Sequence, residues 1–191
     1  MLVKKILAGD SAAGERFVTA NYARVYRLLQ CLTGAGETAE DLTQQTFARA
    51  WQALASFQGR STLATWLHKI AYHEYTHWLR SRRDHLPLEA AADIADLREA
   101  RGLDSILVSR ALARLSADLR EAFLLYYLQE FSVAEVAAIL DLPVGTVKSR
   151  LFSARQRLRE LLRAADAPAA DDVPTESEPR LWISSVEGGR S

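Results

Sequence analysis

Residues 131–158, FSVAEVAAILDLPVGTVKSRLFSARQRL, predict two short helices joined by a tight turn. Ser132 followed by Glu135 is a capping-box pattern, in which a hydroxyl and a carboxylate bond the free amides of a helix start. Apolar residues then recur at helical spacing until DLP at 141–143, where proline lacks an amide donor and interrupts the helix. A second helix is expected from Val144. The segment is therefore a candidate helix-turn-helix.

The second helix is predicted to have an apolar face and a DNA-facing polar face. The buried stripe is expected to contain Val144, Val147, Leu151, Ala154, Leu158 and Leu161. The opposite face carries short polar groups and one aromatic ring between cations, at Thr146, Lys148, Ser149, Arg150, Phe152, Ser153 and Arg155. Small polar groups reach base edges, cations meet phosphates, and an exposed ring can touch a thymine methyl. A solvated basic face is the alternative explanation.

These residues also carry a family resemblance. VGTVKSRLFSARQRL at 144–158, with the preceding residues 115–143, resembles region 4 of the extracytoplasmic-function (ECF) sigma factors, the promoter-specificity subunits of bacterial RNA polymerase. AEDLTQQTFARAWQALASFQGRSTLATWLHKIA at 39–71 resembles region 2 of the same family, and AGDSAAGERF at 8–17 fits its first helix. Two modules in the family's order therefore indicate one assignment.

The resemblance implies an all-α chain with two small helical domains. Region 2 is expected over 1–85 and region 4 over 105–163, with a linker at 86–104. The remaining residues, 164–191, are rich in Pro, Ala, Asp and Glu and are expected to form a disordered acidic tail. Within it, the apolar triplet at 181–183 is either a docking peptide or a chance cluster.

The charge distribution suits this assignment better than the total charge does. Lys and Arg number 24 and Asp and Glu 24, so the formal net charge of the 191-residue chain is zero. The cations nevertheless cluster over 142–163 and the carboxylates over 166–191, which predicts a basic face beside an acidic tail.

The helix expected from Thr38 to Ala55 is the predicted docking surface for the polymerase core. Its buried stripe is expected to contain Leu42, Phe47, Ala50, Trp51 and Leu54. The resemblance assigns core binding to the exposed face, at Asp41, Gln44, Gln45, Ala48 and Arg49. Gln45 stands where the family usually has a glutamate. A solvated helix face is the alternative.

The next helix, expected from Thr62 for about 20 residues, is predicted to meet melted promoter DNA. Cations interleaved with an aromatic ring suit a single strand, because bases stack on rings while cations follow the backbone. By resemblance, this helix and the SFQGRS loop before it read the -10 element. The residues assigned to that contact are Phe57, Gln58, Arg60, Ser61, Lys69, Tyr72, Thr76, Arg80 and Arg83. Thr65 is expected on the same exposed side.

The same helix contains a rival motif. HEYTH at 73–77 fits H-E-x-x-H, which places two imidazoles on one helix face as zinc ligands with a glutamate as general base. The candidate zinc-site residues are His73, Glu74 and His77. The extended form of the motif fails because arginine occupies positions 80 and 83, which leaves His85 and Glu89 as third ligands. The sequence favours no metal and no cofactor.

The sequence therefore favours an ECF sigma factor that is not an enzyme. Its expected partners are RNA polymerase core, promoter DNA and an anti-sigma factor. The alternatives are a stand-alone helix-turn-helix regulator and a zinc hydrolase based on HEYTH. One cysteine, no signal-peptide core and no apolar run of the roughly 20 residues that span a bilayer indicate a cytoplasmic protein without membrane insertion.

Overall fold

The computed structural model describes residues 2–85 and 106–166, and this part of the chain is helical, with no strand. The helices are α1 (Leu2–Leu7), α2 (Ser11–Thr33), α3 (Gly36–Ala53), α4 (Leu63–His85), α5 (Ile106–Ala113), α6 (Ala117–Phe123), α7 (Val133–Leu140) and α8 (Val144–Asp166). A short 3₁₀ turn, Leu54–Ser56, follows α3. The all-α fold is as predicted. The expected linker, Glu89 and the triplet at 181–183 lie outside the described residues.

The first domain is built from α1 to α4, with local signals at both ends of α2. The Asp10 carboxylate accepts a hydrogen bond from the Ala13 amide at 3.0 Å and caps the helix start. Gly34 ends the helix with φ 68°, a left-handed conformation that glycine adopts without strain. The largest side chains sealed in this core are Phe17, Leu28, Leu29, Leu54 and Leu67.

The second domain contains the predicted helix-turn-helix. The Ser132 amide donates to Glu135 Oε2 at 3.0 Å and the Glu135 amide donates to Ser132 Oγ at 3.3 Å, which confirms the capping box. Asp141 ends α7 with φ 53°, a conformation that aspartate tolerates better than most residues. The buried stripe of α8 holds Val147, Leu151, Ala154, Leu158 and Leu161 against the rest of the domain.

Several details differ from the sequence expectation. Helix α6 passes into a π-helical segment at Leu124–Leu128, in which each backbone hydrogen bond spans one more residue than in an α-helix. Val144, expected in the buried stripe, is exposed at the first residue of α8. Trp51 is also 54% exposed, because its ring lies over the outside of Gly14 rather than in the core. Helix α8 continues to Asp166, past the expected limit of 163.

The two domains pack against each other through α4 and α7. The His68 ring is completely buried with its edge against Phe131, at 4.8 Å between ring centres. The Arg24 guanidinium lies over the same Phe131 ring, 5.4 Å from its centre. The Gln129 amide group donates to Arg24 O at 3.0 Å. One side of α4 is thus covered by the second domain.

No described helix is long and apolar enough to cross a membrane.

Candidate nucleic-acid interface

The predicted recognition face of α8 lies on the surface of the second domain. Phe152 is 57% exposed although Val147 and Leu151 beside it are buried. The Phe152 ring is therefore held in solvent on an otherwise amphipathic helix. Ser149 Oγ donates to Thr146 O at 2.9 Å, which leaves the hydroxyl oxygen free to accept. The face therefore offers one apolar group and short polar groups side by side.

The cations of this face divide into two groups. Lys148 and Arg155 are exposed, as is Ser153 between them. Arg150 instead donates to the Asp118 carboxylate of α6 at 2.7 Å, with a side chain only 21% exposed. Arg150 therefore helps to hold α8 on α6, and its expected contact with DNA would compete with this pair.

The loop before α4 presents the predicted -10 residues in two environments. Gln58, Arg60 and Ser61 are exposed, and Gly59 between them has φ 68°, which glycine allows without strain. Phe57 is half-buried against Trp66, with 5.3 Å between ring centres. The ring of Phe57 therefore anchors the loop on α4.

The expected exposure of the α4 face is wrong for Thr65 and is met only in part by Lys69 and Tyr72, which are half-buried. Thr65 is buried and its hydroxyl donates to Glu135 Oε1 of α7 at 2.8 Å. Tyr72 is half-buried and donates to Glu121 Oε2 of α6 at 2.8 Å. The second domain can cover this side of α4 because it supplies a carboxylate that satisfies the hydrogen-bonding group of each of these side chains.

Lys69 completes this set by pairing with Asp141 in the turn between α7 and α8. The Lys69 hydrogen bond and charge hold the pKa of Asp141 below its ordinary value, and hydrogen bonds from Thr65 and Ser132 do the same for Glu135. Burial, by contrast, raises the pKa of Glu121. Burial, reinforced by the Glu121 charge, also raises the pKa of Tyr72.

The far end of α4 remains on the surface. Thr76 is half-buried, and its hydroxyl donates to His73 O at 3.0 Å. Arg80 is exposed and donates from Nε to Thr76 O at 3.3 Å. The helix includes Arg83, whose side chain lies outside the described residues.

The predicted core-docking face of α3 is exposed as expected. All its assigned residues are accessible, at Asp41, Gln44, Gln45, Ala48 and Arg49. Arg49 also reaches across to α4, where Nε lies 2.6 Å from Glu74 Oε1. A surface groove of about 340 Å³ runs between the two helices beside this pair and is lined by Gln52, Ala53, Ile70 and His73.

HEYTH lies on α4, where His73 and Glu74 have partners other than a metal ion. The Glu74 carboxylate is buried and bound to Arg49. His73 Nε2 lies 3.4 Å from Asp141 Oδ2. Within residues 2–85 and 106–166, no group of three or more His, Cys, Asp or Glu side chains is placed to hold a metal ion. The side chain of His85 lies outside this description. Glu74 is therefore held in a structural ion pair with Arg49 and is not placed to act as a general base.

Sequence reasoning missed the partners of α4. Glu121, Glu135 and Asp141 receive the side chains of the predicted -10 helix. The capping box already accounts for Glu135 within its own helix. No pattern in the sequence of the second domain indicates that the other carboxylate oxygen of Glu135 binds the first domain.

Comparison with known proteins supports the two-domain interpretation. Residues 17–85 match the family described as Sigma-70 region 2, and residues 105–158 match Sigma-70, region 4. The chain is 38% identical over 155 residues to the ECF RNA polymerase sigma factor SigC of Mycobacterium tuberculosis, covering 78% of this chain and 83% of that protein. It is 32% identical over 174 residues to the ECF RNA polymerase sigma-E factor of Escherichia coli, covering 83% and 91%.

A solved structure shows the same relationship. The sigma factor RpoE from Bartonella quintana, crystallised with the anti-sigma factor NepR, superimposes with a TM-score of 0.69 at 32% identity. The match covers 78% of this chain and 96% of that one. With both regions present in the family's order and long alignments to several members, the chain belongs to the ECF RNA polymerase sigma factors, the subunits that direct the polymerase to promoters in transcription initiation.

Proposed function

We propose that each domain of this sigma factor contacts one promoter element while α3 binds the polymerase core. Helix α8 would contact the -35 element through Thr146 to Arg155. The loop at 57–61 and helix α4 would contact the -10 element. The observation that carries the proposal is the exposed Phe152 ring at the centre of the α8 face, between exposed polar groups and cations.

The experiment is a footprint of holoenzyme on a promoter. Core RNA polymerase with this chain should protect both elements, and Phe152→Ala should reduce protection at -35 first. A matched control is Leu107→Ala, which removes an exposed apolar side chain from α5 of the same domain. Equal loss with both variants, or no loss with either, would contradict the assignment of this face.

The chain is proposed to act by binding and not by catalysis, in the cytoplasm where polymerase and promoters meet. HEYTH supplies only a weak case for a hydrolase, because Glu74 is bound to Arg49. Purified chain should therefore bind no stoichiometric zinc by elemental analysis. Zinc retained by wild type and lost by His73→Ala with His77→Ala would support the hydrolase instead.

A protein inhibitor is the remaining proposed partner. The related RpoE of Bartonella quintana was crystallised with the anti-sigma factor NepR. We infer that this chain also has an anti-sigma factor. Affinity capture from the source organism, with the binding partner identified and then shown to block transcription by the purified holoenzyme, tests this. A captured partner without effect on transcription would not support it.

A further inference from the structure

Helix α8 carries one exposed stripe, with large apolar side chains near its start and cations towards its end. Its members are three or four positions apart, so they share one side of the helix. They are all exposed: Val144, Lys148, Phe152, Arg155, Arg159 and Arg163. The exposed stripe therefore runs along the whole helix, well past the part assigned to the -35 element.

The last cations of the exposed stripe are not accounted for by base recognition. Arg159 and Arg163 lie about 6 and 12 Å beyond Arg155 along the helix axis, at about 1.5 Å per residue, whereas a recognition helix reads bases mainly through its N-terminal part. Like charges four residues apart on a helix repel each other. Arg157, on another side of α8, pairs with Glu160 at 2.9 Å. Within the described residues, no carboxylate pairs with the three arginines of the stripe.

The chain that follows α8 supplies complementary groups in the complementary order. Residues 167–191 lie outside the described residues. In their sequence, carboxylates come first, with no Lys or Arg among them, at Asp171, Asp172, Glu176 and Glu178. The apolar triplet Leu-Trp-Ile follows at 181–183. From the end of α8 backwards, the exposed stripe likewise has charges first and apolar groups second. A segment that turns back along the helix therefore sets carboxylates beside the arginines and the triplet beside Phe152.

The length of the segment allows this return. Phe152 lies about 21 Å from Asp166, the last residue of α8, along the helix axis. The chain from Asp166 to Trp182 spans at most about 50 Å when extended. Asp172 can reach about 20 Å from the same point, and Arg159 is only about 10 Å away. The excess leaves enough chain for the reversal of direction.

We propose that the acidic segment at 171–178 docks along the cationic end of the exposed stripe and that the triplet at 181–183 packs on Phe152. The occupant of this helix face is thus the tail of the same chain. Because the tail is attached to α8, its effective concentration is high and weak contacts suffice. The docking itself requires only α8 and the tail. Its consequence rests on the proposed function, since promoter DNA must displace the tail to reach Phe152 and Arg155.

The test uses full-length variants. In the neutral-tail variant the acidic segment loses its charge, through Asp171→Asn, Asp172→Asn, Glu176→Gln and Glu178→Gln. The matched control removes the same charge from exposed positions elsewhere, through Glu15→Gln, Glu37→Gln, Glu40→Gln and Glu130→Gln. A third variant, Trp182→Ala, removes the largest side chain of the triplet and leaves the net charge unchanged.

Docking is measured first, without DNA. Ser184→Cys places a nitroxide spin label next to the triplet, because the native cysteine, Cys31, is buried. At low salt the label should broaden the backbone NMR signals of α8 between Lys148 and Arg155. The same label in the neutral-tail variant should leave these signals sharp, as should about 0.5 M salt, which screens exposed charge pairs. The control substitutions should leave the broadening unchanged.

Duplex binding is measured second. At low salt the neutral-tail variant should bind cognate and scrambled -35 duplexes about fivefold more tightly than wild type, because a few exposed ion pairs shift a two-state equilibrium by roughly that factor. The gain should disappear at about 0.5 M salt. The matched control should stay near wild type. Trp182→Ala should gain about twofold, which a change in net charge cannot cause.

The remaining outcomes separate tail docking from the proposed function. Broadening limited to the last turn of α8, or found instead around Trp51 of the first domain, would overturn the proposal. Equal gains in duplex affinity for the neutral-tail variant and its matched control would also overturn it. Broadening from Lys148 to Arg155 in a chain that binds cognate and scrambled duplexes equally would support docking and count against the proposed function.

Discussion

Arg49 Nε lies 2.6 Å from Glu74 Oε1 and joins the proposed polymerase-docking helix to the proposed -10 helix. The two ends of this pair are unequal, because the Arg49 side chain is 64% exposed and that of Glu74 only 8%. Removing the arginine would strand a buried carboxylate, whereas removing the glutamate would leave a cation that water can solvate. The pair therefore positions α3 and α4 relative to each other, besides any contact that Arg49 makes with a partner.

The first prediction is that Arg49→Ala lowers the free energy of unfolding by about 1 to 3 kcal/mol, the usual cost of leaving a buried polar group unpaired. Glu74→Gln combined with Arg49→Ala should recover much of that loss, because no charge is then stranded. Denaturant unfolding of the wild type, both single variants and the double variant gives the coupling free energy. If the losses in unfolding free energy of the two single variants add up to that of the double variant, Arg49 and Glu74 are not energetically coupled.

The second prediction concerns polymerase binding and avoids Arg49, since its substitution also alters packing. Ala48 is exposed and lies among the residues of the proposed docking face. Ala48→Arg should weaken binding to core polymerase about tenfold, equivalent to roughly 1.4 kcal/mol. Ala23→Arg, an equal change at an exposed position of α2, is the control. A pull-down titration in which both variants bind like wild type would place the docking surface elsewhere.

The third prediction separates sequence choice from charge on α8. Phe152→Ala should narrow the difference in affinity between cognate and scrambled -35 duplexes by roughly 1 to 3 kcal/mol, with little change in salt dependence. Lys148→Ala should instead reduce the slope of log affinity against log salt by about one. Arg114→Ala, an exposed cation outside α8, serves as the charge control. Retained discrimination in a folded Phe152→Ala would refute the face assignment.

The fourth prediction is a loss of stability at acid pH through His68. Burial lowers the pKa of this imidazole from 6.5 to about 4, and the nearby Arg24 charge adds to the effect. Between those values the unfolded chain binds more protons than the folded chain. The free energy of unfolding that depends on neutral His68 is therefore fully present above pH 6.5 and is lost as the pH falls toward 4. The full shift is worth about 3 kcal/mol.

The free energy of unfolding is measured between pH 4 and 7 for wild type and His68→Phe. The difference between the two pH profiles isolates the contribution of His68, because phenylalanine keeps a ring against Phe131 but binds no proton. The other titrating groups of the interface remain in both proteins. Glu135 and Asp141, with lowered pKa values, lose their contribution at still lower pH, and the raised pKa of Glu121 acts in the opposite direction. Parallel pH profiles for the two proteins would contradict the prediction.

Local sequence signals predicted those features that depend on neighbouring residues. The Ser132–Glu135 capping box and the turn at Asp141 formed where expected, since a cap and a break are decided within one turn of chain. The stripe from Val147 to Leu161 is buried for the same reason: helical periodicity states which residues share a face.

Helical periodicity cannot show which other part of the protein packs against a given helix face. Thr65, Lys69 and Tyr72 were expected in solvent because they are polar and share one side of α4, yet carboxylates more than forty positions later in the chain meet them. Trp51 shows the converse, since an aromatic ring on an apolar stripe lies outside the core beside Gly14. Tertiary contacts at long sequence separation decide both cases.

Run-off transcription with purified core RNA polymerase and genomic promoter fragments tests the central claim most directly. Wild-type chain should give transcripts from discrete start sites, whereas core polymerase alone should give none. Ala48→Arg should reduce all of these transcripts, and Phe152→Ala should reduce those whose -35 element matters most. Polymerase that gains no start sites from the folded wild-type chain, even though the chain binds DNA, would contradict the account.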